Sequence, residues 1–307
     1  MLRLGTDTKQ HYKKSLQDNV IAYTLVLPTL IFFVIFTVYP FLNAFIISLT
    51  KWDGFNDPVF IGINNFKKLI NDKDVWNSLS KNLQFMVFTV SAKVILGFII
   101  AFFLNQKFRG VTFFRAIFFM PVIMSFVAIG LLWKYIFNPN YGLINSILFK
   151  LGLSAPGNPI TWLGDPSLAM WCIIIVDIWR WTGYHVVLFL AGLQTIPTEI
   201  YEAATVDGAN EWQKVRHVTI PQMYGIILTN MIFCLTGALS VFDLIFTMTL
   251  GGPYNSTKTI ALYVYETSFG ARNQFGYATA INIFIFFIVL IITGVMIYLM
   301  NRARDNK

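Results

Sequence analysis

Asp177, Arg180, Trp181, Tyr184 and His185 recur at i, i+3, i+4, i+7 and i+8, so they share one face if the apolar run 168–193 is helical. Ionisable groups inside an apolar helix pair with one another, line water or serve a pathway. Tryptophan and tyrosine rings suit the C–H surface of a sugar, and the charged groups suit its hydroxyls. Two readings are open. Asp177 and Arg180, joined by Lys93 from another apolar run, hold helices together while the aromatics fill a core, or the stripe lines the route of a polar solute. Along 222–248, Asn230, Cys234, Gly237 and Val241 form a similar face, with Ser240 and Asp243 nearby. Ser240 and Asp243 therefore join Asp177, Arg180, Trp181 and Tyr184 as candidate pathway residues. Gly237 reads as a glycine that lets helices approach closely.

Other chemistry is excluded by what the chain lacks. Its two cysteines, Cys172 and Cys234, have no metal-ligand or disulfide spacing and read as apolar packing residues. No G-x-x-x-x-G-K-[ST] phosphate loop is present, so no nucleotide hydrolysis is expected, and no bound cofactor or metal.

The elements that must position these residues are membrane helices. Of the 307 residues, 56% are hydrophobic and only 12% charged, against roughly 25% charged in soluble domains. A spanning helix needs about 20 apolar residues. Runs near 20–49, 84–105, 113–137, 168–193, 222–248 and 276–300 predict six spans in an all-α integral membrane protein. Pro28 and Pro40 in the first span and Pro121 in the third predict kinks. The net charge of +8 is concentrated at span ends: Arg3, Lys9, Lys13 and Lys14, then Lys107, Arg109 and Arg115, then Arg302, Arg304 and Lys307. By the positive-inside rule these segments, and the loop 194–221 with them, are expected in the cytoplasm, with both termini inside. Membrane lipid explains that charge, and nucleic acid is not an expected partner. Residues 1–19 form the expected cytoplasmic N-terminal segment, 20–300 the membrane domain and 301–307 the tail.

The loop 194–221 is the longest polar stretch on that side. Pro197 and Thr198 suggest a helix start with Thr198 as its N-cap. Asp207-Gly208 predicts a turn, and Asn210 with Gln213 a second cap opening another short helix. Two short helices set at an angle make either an interfacial hairpin on the headgroups or a knob gripped by a partner.

Glu202-Ala203-Ala204, Asp207-Gly208-Ala209 and Ile220-Pro221 resemble the EAA loop of binding-protein-dependent ABC importer permeases. The resemblance extends to the MalF-like carbohydrate branch through Leu27-Pro28, Tyr39-Pro40, Trp52-Asp53-Gly54, Phe60-Ile61-Gly62-Ile63-Asn64-Asn65-Phe66, Arg109-Gly110, Asn138-Pro139 with Tyr141-Gly142, Val241-Phe242-Asp243 and Gly251-Gly252-Pro253. Val215 and Gly225 depart from it, standing where that family usually has an aromatic and often a second proline. The resemblance implies a six-span type I ABC importer permease fold with a cytoplasmic coupling loop. Glu202, Ala203, Ala204, Asp207, Gly208, Ala209 and Trp212 would meet a cytoplasmic ATPase. The implied partners are a second, similar permease, two ATPase subunits or domains carrying ATP and Mg, and an extracytoplasmic sugar-binding protein. The implied location is the plasma or inner membrane. Glycerol phosphate esters are an alternative cargo, and an ion-coupled secondary transporter an alternative mechanism.

Overall fold

The computed structural model describes residues 23–106, 108–153, 157–271 and 273–305, with the side chains of 300 and 303–305 excluded. The expected segment 1–19 with its basic residues, Lys107, the Arg304 side chain and Lys307 lie outside the described residues. Helices dominate: α1 Tyr23–Ser48, α2 Asn64–Asn71, α3 Lys73–Leu104, α4 Val111–Ile123, α5 Phe126–Ile136, α6 Leu143–Lys150, α7 Ala169–Leu193, α8 Thr198–Val206, α9 Glu211–Leu239, α10 Asp243–Met248, α11 Ile260–Phe269 and α12 Phe275–Asp305. Among the described residues α1, α3, α7, α9 and α12 are each long and apolar enough to cross a membrane. Two compact units contain them, one of residues 23–69 with 273–283 and the other of 70–271 with 284–305.

In the first unit α1 widens into a π turn over Val34–Val38. Pro40, next but one after the turn, has no N–H to continue the ladder. A short antiparallel pair comes next, β1 Thr50–Lys51 with β2 Val59–Phe60, in the register Thr50↔Phe60 and Lys51↔Val59. Asp53 closes its connection by accepting from the backbone N–H groups of Phe55 and Asn56, at 3.0 and 2.9 Å, and from the Asn56 side chain at 2.6 Å. Gly54 sits at φ +90°, and a Cβ there would lie 2.6 Å from the Phe275 ring. Asn65 donates to the Ser48 and Thr50 carbonyls, both at 2.8 Å, which fixes the start of α2 under the strand pair. The Trp52-Asp53-Gly54 and Ile63-Asn64-Asn65 stretches are thus one folding unit.

The second unit is built on α3 against α7, with α9 laid on α3 and α4 on α7. Small residues set the crossings. A Cβ on Gly183 would run into the Phe118 carbonyl, one on Gly97 would lie 3.0 Å from His185 Cβ, and one on Gly130 would lie 2.6 Å from a Thr247 carbon. Phe85, Ile129, Ile173, Val176 and Leu244 form one apolar cluster, while Ala101, Phe189, Leu193 and Met223 form a second.

Two expected spans are corrected. The run 113–137 is a helix pair bent by 99° between α4 and α5. The break is at Met124 and Ser125, both extended with ψ of 147° and 141°, and not at Pro121, which stays inside α4. The run 222–248 is also divided, because α9 stops at Leu239 and α10 begins afresh at Asp243. At its other end α9 starts at Glu211, so the expected second short helix of the loop is the first part of this long one.

The Asp53 carboxyl is held down from 3.8 to about 2, first by the Asn56 and Phe55 backbone N–H groups and then by the Asn56 side chain. A depressed pKa means that the charged form supports the turn fully above 3.8, and that support is lost as pH falls through 2. Amide exchange at Phe55 and Asn56, corrected for intrinsic rates, is expected to lose protection across that interval. Asp53→Asn should show no such step.

Candidate functional site

A cavity of about 270 Å³ opens between α3, α5, α7, α9 and α10. Asp177, Trp181 and Tyr184, predicted from spacing, and Ser240 and Asp243, expected near a second such face, line it together with Lys93, His185 and Cys234. Trp181 and Tyr184 are half-buried and meet edge to face, with ring centres 5.9 Å apart. Phe126 and Phe233 extend this aromatic wall. Ser240 and Asp243 are exposed because they flank the break between α9 and α10.

Asp177 pairs with Lys93, whose Nζ donates to Oδ2 at 2.8 Å with both side chains buried. Of the helix-holding cluster Asp177, Arg180 and Lys93, the direct bridge is thus Lys93–Asp177 across α3 and α7, with none between Asp177 and Arg180. Separated in an interior of low dielectric, either charge would be far costlier than in water. Arg180 does not reach the cavity lining. Its Nη2 donates to the Met124 carbonyl at 2.8 Å, and its guanidinium lies 3.5 Å from the centre of the Phe126 ring. It thereby serves the carbonyl freed by the α4–α5 break, while its Nε and Nη1 are buried without a partner.

His185 joins the two long helices by another route. Asn230 donates its amide to the Ile226 carbonyl, which turns its Oδ1 toward His185 Nδ1 at 2.9 Å. Nδ1 then carries the proton, leaving Nε2 to accept from Cys234 Sγ at 3.2 Å. Cys234 packs within the apolar cluster as expected and, in addition, meets His185 through its sulfur. Gly237 is also corrected: nothing lies within 4 Å of a Cβ built on it, so it opens the cavity wall rather than admitting a neighbouring helix.

The second break is held by a residue that periodicity did not single out. Asn82, fully buried on α3, donates to the carbonyls of Ala238 and Leu239 and accepts from the Ile260 N–H at 2.8 Å. Thr259 donates to the Val241 carbonyl at 3.1 Å. These contacts let the chain leave its helix at Ser240 inside an apolar unit. A lone Asn at the edge of an apolar run was the only sequence signal for this role.

The 194–221 loop forms a second feature. Thr198 is the first residue of α8, and Pro197 precedes it as the cap with no side-chain bond, so the expected Thr198 cap is absent. At the other end the Gly208 N–H bonds to the Thr205 carbonyl and the Ala209 N–H to the Ala204 carbonyl, with Gly208 at φ +79°. This is a Schellman closure, which explains the glycine and the small Ala209 after it. The Asn210–Gln213 capping box is present and starts α9. Tyr201 Oη and Thr219 Oγ1, 3.0 Å apart, pin α8 to α9. Glu202, Ala203, Asp207, Gly208 and Trp212 are exposed, and Ala204 and Ala209 half-buried. Val206 and Trp212, 89% and 70% exposed, flank the elbow with apolar surface.

Residues 93–305, more than half of the chain, match the family model of the binding-protein-dependent transport system inner membrane component. The chain belongs to this family. The permease is 35% identical over 307 residues to the lactose transport system permease protein LacF of Rhizobium radiobacter, covering 99% of this chain and all of that one. It is 36% identical over 281 residues to the multiple sugar-binding transport system permease protein MsmF of Streptococcus mutans, covering 91% of this chain and 95% of the other. Its fold is shared with a chain of a bacterial ABC transporter involved in the import of the acidic polysaccharide alginate. The TM-score there is 0.81 at 24% identity, over 95% of this chain and 99% of that one. The permease is a multi-pass membrane subunit of a transport system, with the helical fold of an ABC importer permease.

Removing one member of the Lys93–Asp177 pair strands the other. Lys93→Met is expected to lower stability by about 3–5 kcal/mol, read as a fall in the thermal unfolding midpoint of the purified protein. Adding Asp177→Leu to it should recover most of that loss. A single variant as stable as the parent would mean that the pair does not hold α3 to α7.

Proposed function

We propose that this permease is one half of the membrane pathway of an ATP-driven importer for a sugar or oligosaccharide. The observation that carries the reading is the joining of an aromatic wall, Trp181 and Tyr184, to a polar floor of Lys93, Asp177, Ser240 and Asp243 in one cavity of about 270 Å³. Ligand sites commonly begin near 300 Å³, so this half-site suits about one ring of a cargo. The rings would stack on the C–H face of a pyranose, and the charged groups would take its hydroxyls. Relatives named for lactose and multiple-sugar transport support the cargo class.

In this reading the third and fifth apolar runs, though broken, complete six spans, and both termini lie in the cytoplasm. The domain 20–300 carries the pathway between the segment 1–19 and the tail 301–307. The EAA loop 194–221 faces the cytoplasm and docks on an ATPase subunit, with Glu202 and Asp207 as polar anchors and Ala203, Ala204, Ala209 and Trp212 as contact surface. Two such ATPases supply ATP and Mg, a second permease completes the path, and an extracytoplasmic binding protein delivers the sugar. A relative of the same fold solved with an alginate pentasaccharide-bound periplasmic protein supports this last partner. The chain binds no cofactor and hydrolyses nothing itself.

Trp181→Ala is expected to reduce uptake or change the preferred sugar while the binding protein keeps its own affinity. Core truncation alone can cost about 3–5 kcal/mol, so assembly and thermal stability are measured alongside. Normal assembly with parental uptake of the whole sugar range would remove Trp181 from the pathway.

Gly208→Pro cannot adopt the φ of +79° found at the elbow, and Glu202→Lys reverses charge on the exposed face of α8. Both should abolish uptake in inserted, assembled transporter while ATP hydrolysis continues. Parental uptake by both would end the coupling role of the loop.

A further inference from the structure

The charge that a cargo meets in the cavity of Asp177 and Trp181 is set by Lys93, Asp177, His185 and Asp243, the acidic and basic side chains on its wall. Three of them are already engaged. Lys93 and Asp177 neutralise each other at 2.8 Å, so neither acts as a free ion. His185 is held through both ring nitrogens, Nδ1 by Asn230 Oδ1 at 2.9 Å and Nε2 by Cys234 Sγ at 3.2 Å, and in that tautomer the ring is neutral. Asp243 differs. It stands exposed at the start of α10, and its carboxylate makes no hydrogen bond or ion pair with any described residue. Arg180 attracts it electrostatically but brings no donor to the cavity. Its Nη2 is bound to the Met124 carbonyl, and its Nε and Nη1 are buried.

Among the described residues the wall therefore offers one unpaired anion and no unpaired cation. An acidic sugar entering it would give up the hydration of its charge, gain no counter-charge and face Asp243. A hydroxyl or ammonium group instead gives that carboxylate the donor it lacks, in a charge-assisted hydrogen bond stronger than a neutral one. Like charge set against the wrong ligand discriminates as effectively as added contacts to the right one. We propose that the cargo carries no negative charge: the site takes neutral or amino sugars and refuses uronic acids and sugar phosphates, with Asp243 as the residue that sets this choice. The inference rests on the reading of the cavity as a saccharide pathway and adds to it a rule that the aromatic wall does not supply. Trp181 and Tyr184 would stack on the C–H face of an acidic ring as readily as on that of a neutral one.

The test measures binding to the assembled transporter in phosphatidylcholine nanodiscs without the binding protein, so that the membrane pathway alone selects. The probes are methyl glucoside, methyl glucuronide and methyl glucosaminide, with their galacto counterparts. Within each series the sugars keep one ring configuration and differ in charge. Binding is read by ligand-observed saturation-transfer NMR, with Trp181→Ala as the control that assigns it to this cavity. Trp181-dependent binding of the neutral and amino sugars is expected, with the acidic sugar about tenfold weaker or more. An acidic sugar bound as tightly as its neutral counterpart overturns the charge rule and leaves the saccharide pathway standing, whereas no Trp181-dependent binding in either series removes both. Two variants then test the residue. Asp243→Asn should narrow the gap between neutral and acidic sugar by about threefold or more, and Ser240→Lys, which sets a free cation on the same wall, should reverse the preference. The readout is the ratio of affinities within one variant, which partial loss of folded protein does not move. An unchanged ratio in Asp243→Asn would strip Asp243 of the role.

Discussion

A carbonyl released from its helix within an apolar unit must find a donor, because the surrounding lipid offers none. The second unit meets this demand twice, and its cavity exists because of both solutions. Arg180 serves Met124 where the third apolar run turns through 99°, and Asn82 with Thr259 serves Ala238, Leu239 and Val241 where the fifth run stops. Without those donors both runs would continue as helices, and Ser240, Val241 and Phe242 would be wound into a rod instead of bordering an open space. The Lys93–Asp177 pair then ties α3 to α7 between the two breaks.

This arrangement assigns two jobs to residues of one kind. Lys93 and Asp177 face the cavity and also neutralise each other, so polar lining and helix association come from the same atoms. Arg180 is tied to the backbone, to the Phe126 ring and, electrostatically, to Asp177 and Asp243. Its role begins with the shape of the bend.

The apolar runs made the membrane class legible in the sequence; against the six expected spans, five helices among the described residues are long and apolar enough to cross, or six if the bent pair counts as one. A hydropathy pattern has no term for backbone continuity, so 113–137 and 222–248 looked unbroken. The stripe on α7 was legible because one helix fixes its own 3.6-residue geometry. Lys93 could be named beside Asp177 as a third buried charge, but the pairing of Asn230 with His185 could not, since tertiary packing brings it from α9. The turn at Gly208 and the box at Asn210 were readable for the opposite reason: both close within six residues. Thr198 shows the limit of such local rules, because Pro197 already fixed the entry to α8 and left the hydroxyl no capping role. Gly237 was misjudged because a missing side chain fits a tight crossing and an open wall equally well.

The uninterrupted course of α9 from Glu211 to Leu239 has a mechanical meaning. From Trp212 to Gly237 is about 38 Å at 1.5 Å per residue, and no joint lies between the exposed elbow and the cavity wall beyond the widened turn Val215–Thr219. The hydroxyl contact of Tyr201 with Thr219 clamps α8 to this shaft at the last residue of that turn. A tilt of a few degrees at the clamp would swing the far end by a few ångströms, as a lever whose reach is set by the length of helix beyond the clamp and by the angle of tilt.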